Sequence, residues 1–318
     1  MDIESVDVKR DPVIIFMGTP EFSVPVLEGI ISNYKVKAIV TQPDKPVGRT
    51  GKVSISPIKA VALKNNILCL QPVKIREALQ EINQLEPDLI ITCAYGQILP
   101  PELLIIPKLG CINVHASLLP KLRGGAPIHR AIIDGYKTTG ITIMYMAEGM
   151  DDGDIISQRE MEIRENDTAS SLHDKLKIMG RDLLLETLPS ILSLTNSRLK
   201  QDESLVTYGF NISRDDEKID FNKSSKKIYD QVRGLNSWPG AYCILDGKIL
   251  KVWECIRSNE MFDGKRNGEV TRICSNGFGV KVGNGEVIFT VVQPEGKKAM
   301  RATDFVNGYH DIVGKVLM

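Results

Sequence analysis

Residues 110–132 read GCINVHASLLPKLRGGAPIHRAI, and the rest of the chain is organised around them. They begin as a short apolar run, Cys111, Ile112 and Val114, carrying two polar side chains, Asn113 and His115. Strand side chains alternate between faces, so Asn113 and His115 point the same way. The chain then turns at once through Ser117, Leu118, Leu119 and Pro120. An amide donor beside an imidazole, where a strand opens into a loop, is equipment for stabilising developing charge and moving a proton. The other reading is a strand end with one satisfied polar pair.

Outward from this stretch the pattern is that of an α/β chain. Apolar runs at 13–17, 36–40, 67–70 and 89–93 alternate with helical patterns at 21–31, 57–65 and 75–85. Short continuous apolar runs between helices predict a doubly wound, mainly parallel, Rossmann-like sheet covered on both faces. Loops leaving such strands share one edge, where these sheets bind ligands. Residues 167–193 predict a long helix with a buried stripe of Leu172, Leu176, Met179, Leu183, Leu184, Leu188 and Ile191.

Beyond a polar linker at 195–208 the grammar changes. A helix at 224–235 precedes short strands bounded by turns at Asp246-Gly247, Asn276-Gly277 and Asn284-Gly285. That predicts a smaller C-terminal β-barrel, OB-like, at 209–318, following an N-terminal α/β domain at 1–194. Trp238 and Trp253 are expected in its core rather than as base-stacking platforms. This end is mildly positive, with 17 basic against 14 acidic residues from Gly209 onward.

The 318 residues carry 40 basic and 40 acidic side chains, so no net charge advertises nucleic acid or membrane; such a partner would use a local patch. The six cysteines include no Cys-x-x-Cys pair and mostly lie in apolar runs, as buried thiols of a reducing compartment do. None of the four histidines has zinc-ligand spacing with a partner. The N-terminal residues lack a signal peptide's apolar core, and no apolar run approaches the ~20 residues that span a bilayer. A cytoplasmic protein is expected.

Four loops remain. The turn MGTPEF at 17–22 has one glycine where a dinucleotide fingerprint needs three, which argues against NAD; it is either structural or an anion-receiving helix start. Residues 41–57, TQPDKPVGRTGKVSISP, make a long basic loop with Lys45, Arg49 and Lys52, either a solvated excursion or a phosphate-gripping arm. The 94–100 stretch, AYGQILP, is a strand exit whose Gly96 would allow close approach to a planar ligand. The acidic turn at 148–154 does not match an EF-hand and is read as a polar turn whose Asp151 or Asp154 faces the histidine.

Taken together, FMGTPEFSVPVL, TQPDKPVGR, AYGQILP, the 110–132 block, GMDDGDI, LNSWPGA and QPEGKKAM resemble the methionyl-tRNA formyltransferases nearly end to end. The Asn-x-His-x-Ser-Leu-Leu-Pro block is shared by folate-dependent formyltransferases and hydrolases at large; the basic loop and the C-terminal domain narrow the match. The resemblance implies formyl transfer from 10-formyltetrahydrofolate to the α-amino group of methionyl initiator tRNA. It implies catalytic Asn113, His115 and Asp151, and folate contacts from Ser117, Leu118, Leu119 and Pro120. A pterin slot would be lined by backbone around Ala94, Tyr95, Gly96, Gln97, Ile98 and Leu99 and around 149–154. Transfer RNA would be held by Lys45, Arg49, Lys52 and the C-terminal domain, although the loop tail TGKVSI departs from the family's pattern. No metal is implied, and a monomer is expected. Rival readings are a folate-dependent formyltransferase acting on an amino-sugar or ribonucleotide amine, a formyltetrahydrofolate hydrolase, and a tRNA-binding protein without catalysis.

Overall fold

The apolar runs become strands because their side chains are buried on both faces. The computed structural model describes residues 11–47, 52–258 and 260–318. Its strands are β1 (Ile14–Gly18), β2 (Val36–Val40), β3 (Lys45–Val47), β4 (Lys52–Ser54), β5 (Leu68–Leu70), β6 (Leu89–Cys93), β7 (Cys111–His115), β8 (Thr138–Tyr145) and β9 (Ile155–Glu162). Seven of them form one sheet in the order β5-β2-β1-β6-β7-β8-β9. The pairs from β5 to β7 are parallel, and β8 runs antiparallel to β7. Every residue of β1 and β6 is buried, as helix-covered central strands require.

From β1 the chain winds outward to β5, then returns to β6 on the other side of β1. The carboxyl ends of β1 and β6 therefore flank a topological switch point, where open α/β sheets form their binding crevice. The backbones are packed tightly there: a Cβ on Gly18 would lie 2.8 Å from Phe16 Cε1 and 2.9 Å from the Cys93 carbonyl. The glycine of the first loop thus serves close packing. Ser23 Oγ donates to the same Cys93 carbonyl at 2.5 Å.

The far face of β7 is covered by the Ala169–Leu192 helix, where a Cβ on Gly180 would come within 3.0 Å of Val114 Cγ1. The expected stripe of this helix is buried except for Met179, which is only partly so. The described parts of 41–57 are not irregular: β3 and β4 pair as an antiparallel hairpin. Asp44 anchors its base through an ion pair with Lys59 and a 2.8 Å hydrogen bond from Gln71 Nε2.

The chain divides into two units. The first holds the seven-stranded sheet and comprises the described residues up to Gly125, Thr139–Met161 and His173–Tyr208; the second comprises Ala126–Thr138, Glu162–Leu172 and Gly209–Met318. In the second, β10 (Ala241–Leu245), β11 (Lys248–Ser258), β12 (Val270–Cys274), β13 (Gly277–Val282), β14 (Gly285–Pro294) and β15 (Met300–Arg301) make one antiparallel sheet, in keeping with the short strands expected. Asp246 and Gly247 join β10 to β11 with φ of 48° and 77°, the left-handed pair that a two-residue hairpin turn needs. Phe278, Phe289 and Val280 centre the core, and the Ser225–Gly234 helix closes it with Ile228 and Val232.

The 126–138 excursion belongs to this unit for two reasons. A Cβ on Gly234 would meet Ile133 Cγ1 at 2.6 Å, and Arg130 grips Asp216 with two parallel hydrogen bonds of 2.8 Å. One expectation is overturned. Trp238 is 69% exposed rather than in the core. The space beneath its turn is already taken by Trp253, whose ring would lie 2.8 Å from a Cβ on Gly240 and whose indole donates to Gln293 at 2.9 Å.

Two outcomes test this packing. Burial pushes the thiols of Cys93, Cys111, Cys243 and Cys255 up to about 12, whereas Cys69 and Cys274 are only partly covered. At pH 8, iodoacetamide should label Cys69 and Cys274 in the native protein and the other four only in denaturant, as read by peptide mass mapping. The Arg130 guanidinium, helped by Ser213, holds the Asp216 carboxyl well below the usual range. A depressed carboxyl stabilises the fold above its unfolded pKa and loses that contribution as pH falls through the folded value. Asp216→Asn should therefore cost about 1–3 kcal/mol at pH 7, with the gap to the parent chain closing below about pH 4 in thermal melts.

Candidate functional site

Asn113 and His115 project from the same face of β7, at the carboxyl edge of the parallel strands. His115 is buried, and its Nε2 lies 3.1 Å from the Leu122 carbonyl oxygen. A carbonyl can only accept, so Nε2 carries a proton in either charge state of the ring. Nδ1 is then the nitrogen that gains and loses a proton, and it faces Asp151 Oδ2 at 3.6 Å. That separation is too long for a full hydrogen bond, which leaves Nδ1 available to a third group.

Asp151 reaches this position from the turn between β8 and β9. Its Oδ2 accepts the Gly124 backbone N–H at 2.9 Å, and its Oδ1 lies 3.5 Å from Asn113 Nδ2. An ionised carboxylate only accepts, so it fixes which end of the Asn113 amide faces it. The amide oxygen is correspondingly turned to Thr92, whose hydroxyl donates at 2.9 Å from the facing position on β6. Of the two acidic candidates, Asp151 is the one at the histidine; Asp154 pairs with Arg198 at 3.4 Å.

The backbone that aims these groups is held in an unfavourable conformation. Leu122 and Asp151 have φ of 60° and 51°, and Gly124 has φ of 117°. A left-handed non-glycine residue costs roughly 1–2 kcal/mol, so both loops need outside support. Leu122 N–H donates to Thr207 Oγ1 at 2.9 Å, and Gln201 Nε2 donates to the carbonyls of Asp151 and Gly153 at 2.7 and 2.8 Å.

The residues expected around a flat ligand fall into two groups. Ala94, Gly96 and Ile98 are exposed along the β6 exit, the first two in left-handed backbone. Tyr95 and Leu99 turn the other way, into the core, and Gln97 is occupied with the Ile75 N–H at 2.9 Å and the Val73 carbonyl at 3.2 Å. In the SLLP turn, Ser117 and Leu119 are buried while Leu118 and Pro120 are partly exposed. Thr142 and Gln158 hold that turn from beneath: Thr142 Oγ1 donates to the Ser117 carbonyl at 2.7 Å, and Gln158 donates to the Leu119 carbonyl at 2.8 Å.

Of the three basic residues, Lys45 is exposed on β3. Only the backbone of Lys52 is described, and Arg49 lies outside the described residues. Among the described residues no group of three His, Cys, Asp or Glu is placed to hold a metal ion.

Thr92, Leu122, Gly124, Gln201 and Thr207 went unread in the sequence. Leu122 and Gly124 act through backbone atoms, and Gln201 and Thr207 sit in the stretch read as a linker. The Gly-Gly at 124–125 was the one available signal, since it marks a turn that tolerates positive φ.

A mainly parallel α/β sheet with an amide, an imidazole and a carboxylate gathered at its carboxyl edge, joined to a separate antiparallel unit, is the build of a formyl transferase. The formyl transferase family matches residues 12–188, and the formyl transferase C-terminal domain family matches 211–310. Methionyl-tRNA formyltransferase of Lysinibacillus sphaericus is 52% identical over 299 residues, covering 93% of this chain and 95% of its own. That of Bacillus subtilis is 49% identical over 308 residues, covering 96% and 97%. The chain belongs to the methionyl-tRNA formyltransferase family. The fold alone is shared more widely: WlaRD, a sugar 3N-formyltransferase, superposes with a TM-score of 0.66 at 23% identity over 91% of this chain and 100% of its own. HypX from Aquifex aeolicus, solved with tetrahydrofolic acid, gives 0.63 at 16% identity, covering 96% of this chain and 48% of its own.

Proposed function

We infer that the protein transfers the formyl group of 10-formyltetrahydrofolate to the α-amino group of methionyl initiator tRNA. The observation that carries this reading is identity of about one half, along nearly the whole chain, to enzymes of that name. The exposed backbone at Ala94 and Gly96 beside the apolar Ile98 suits a flat, hydrogen-bonding heterocycle, and the partly exposed Leu118 and Pro120 offer a second apolar surface.

The roles of the central residues follow from their geometry. As an amine adds to a formyl carbon, negative charge grows on the formyl oxygen and the nitrogen becomes acidic; collapse of the adduct then breaks the bond from the formyl carbon to N10, and tetrahydrofolate leaves with the proton taken from the amine. Asn113 Nδ2 has a second proton to donate to that oxygen, and a protonated His115 donates from Nδ1, because its Nε2–H is already held by Leu122. Asp151, accepting from Gly124 and close to Nδ1, takes the proton of the attacking amine directly or through water. Catalysis is assigned to 1–194. Binding of tRNA phosphates is assigned to Lys45, Arg49 and Lys52 together with 209–318. The working form is taken as a cytoplasmic monomer, a setting suited to six free thiols.

His115→Ala and Asp151→Ala should each lower kcat about 10²–10³-fold, the usual cost of losing a charge-stabilising group, while leaving tRNA binding within about twofold of the parent in filter assays. Comparable losses of tRNA affinity in both would remove them from the catalytic role. Arg49→Ala should weaken tRNA binding and flatten its dependence on salt without altering folate binding; an unchanged salt slope would return the 41–57 segment to a solvated excursion. Incubation with 10-formyltetrahydrofolate and charged initiator tRNA should yield formyl-methionyl-tRNA. Release of free formate alone would favour a hydrolase.

A further inference from the structure

We propose that Gln201 and Thr207 are positioning residues of the formyl-transfer site, acting through the two loops that aim His115 and Asp151. This rests on the reading of that site given above. Both residues lie between the two family matches, which end at 188 and resume at 211.

Gln201 uses every polar atom of its side chain. Its Nε2 has two protons, given to the carbonyls of Asp151 and Gly153, and its Oε1 accepts from Arg123 Nε at 3.0 Å. One amide thus fastens the Asp151 turn to the 122–124 turn. Arg123 is buried and is fixed further by Glu203, whose carboxylate takes its two terminal nitrogens at 2.7 and 3.3 Å. Thr207 holds the second turn by its backbone: its Oγ1 accepts the Leu122 N–H and its carbonyl accepts the Arg123 N–H, each at 2.9 Å.

These bonds determine where the reacting groups sit. The Leu122 carbonyl must point at His115 Nε2 to keep the proton there, and Leu122 is left-handed, so it relaxes elsewhere once its N–H is released. The Asp151 carboxylate hangs from an equally unfavourable residue, and the Gly124 N–H it accepts comes from the turn that Gln201 and Thr207 hold. Removal of either clamp leaves all three reacting side chains present and displaces two of them.

The test sets Gln201→Met and Thr207→Val, which keep much of the side-chain size and lose the hydrogen bonds, against Thr207→Ser, which loses a methyl and keeps the hydroxyl. Gln201→Met and Thr207→Val should lower kcat about 10–100-fold with both KM values within about threefold, the size expected for sub-ångström misplacement of reacting groups. Thr207→Ser, which keeps the hydroxyl, should recover to within about twofold. Independently of activity, the Nε2–H resonance of His115 in histidine-labelled protein should exchange faster with water in Thr207→Val than in the parent or in Thr207→Ser. An unchanged kcat in Gln201→Met and Thr207→Val, a loss confined to KM, or a Thr207→Ser variant as impaired as Thr207→Val would overturn the proposal. If Gln201→Met fails to fold, the Thr207 pair decides. A parent protein that forms no formyl-methionyl-tRNA would refute the functional reading, while the exchange measurement would still decide whether Thr207 holds the ring's partner in place.

Discussion

The hydrogen bond between His115 Nε2 and the Leu122 carbonyl is the constraint on which the site depends. It settles the tautomer, since a carbonyl has no proton to give, and leaves Nδ1 as the nitrogen turned toward Asp151. It also orients the ring so that Nδ1 and Asn113 Nδ2 look toward the same carboxylate. Without it the imidazole would be a buried polar ring with two equivalent ways to sit. Burial alone does not give a histidine a direction; an acceptor on one side does.

The sheet supplies the frame for this bond. β7 is the last parallel strand, so its carboxyl end lies at the same edge as those of β1 and β6, while β8 returns antiparallel and brings Thr142 alongside His115. The far face of β7 is sealed by the Gly180–Val114 approach, so Asn113 and His115 have one open side. The geometry is paid for with two non-glycine residues in left-handed backbone, and such conformations persist where surrounding bonds over-determine them.

Much of this was legible in the residues. Strands β1, β2 and β6 announce themselves as short apolar runs, the alternation in Asn113-Val114-His115 places two polar groups on one face, and the Asp246-Gly247 turn declares its hairpin. The residue pattern alone left Asp151 and Asp154 open, because both lie in one acidic turn; the family resemblance pointed to Asp151, and the fold shows that Arg198 pairs with the second. Thr92 was hidden for a different reason: it is fully consistent with an ordinary buried strand residue, and its use becomes apparent once β6 is laid beside Asn113. Trp238 was misread because residue type alone does not report whether a neighbouring indole has already filled the space. The hairpin of β3 and β4 escaped notice because its strands are only three residues each.

The polar stretch that runs from the long helix to the second unit bears on how proteins of this design can be recombined. The two family matches leave residues 189–210 between them as a seam. The backbone bridge between Arg123 and Tyr208, and that between Ile155 and Leu199, show the seam woven into the first module. A hybrid spliced near residue 190 would inherit foreign lacing around its own histidine, whereas one spliced just past Tyr208 would keep its native set. The crossover point thus decides whether the two left-handed turns keep their own partners.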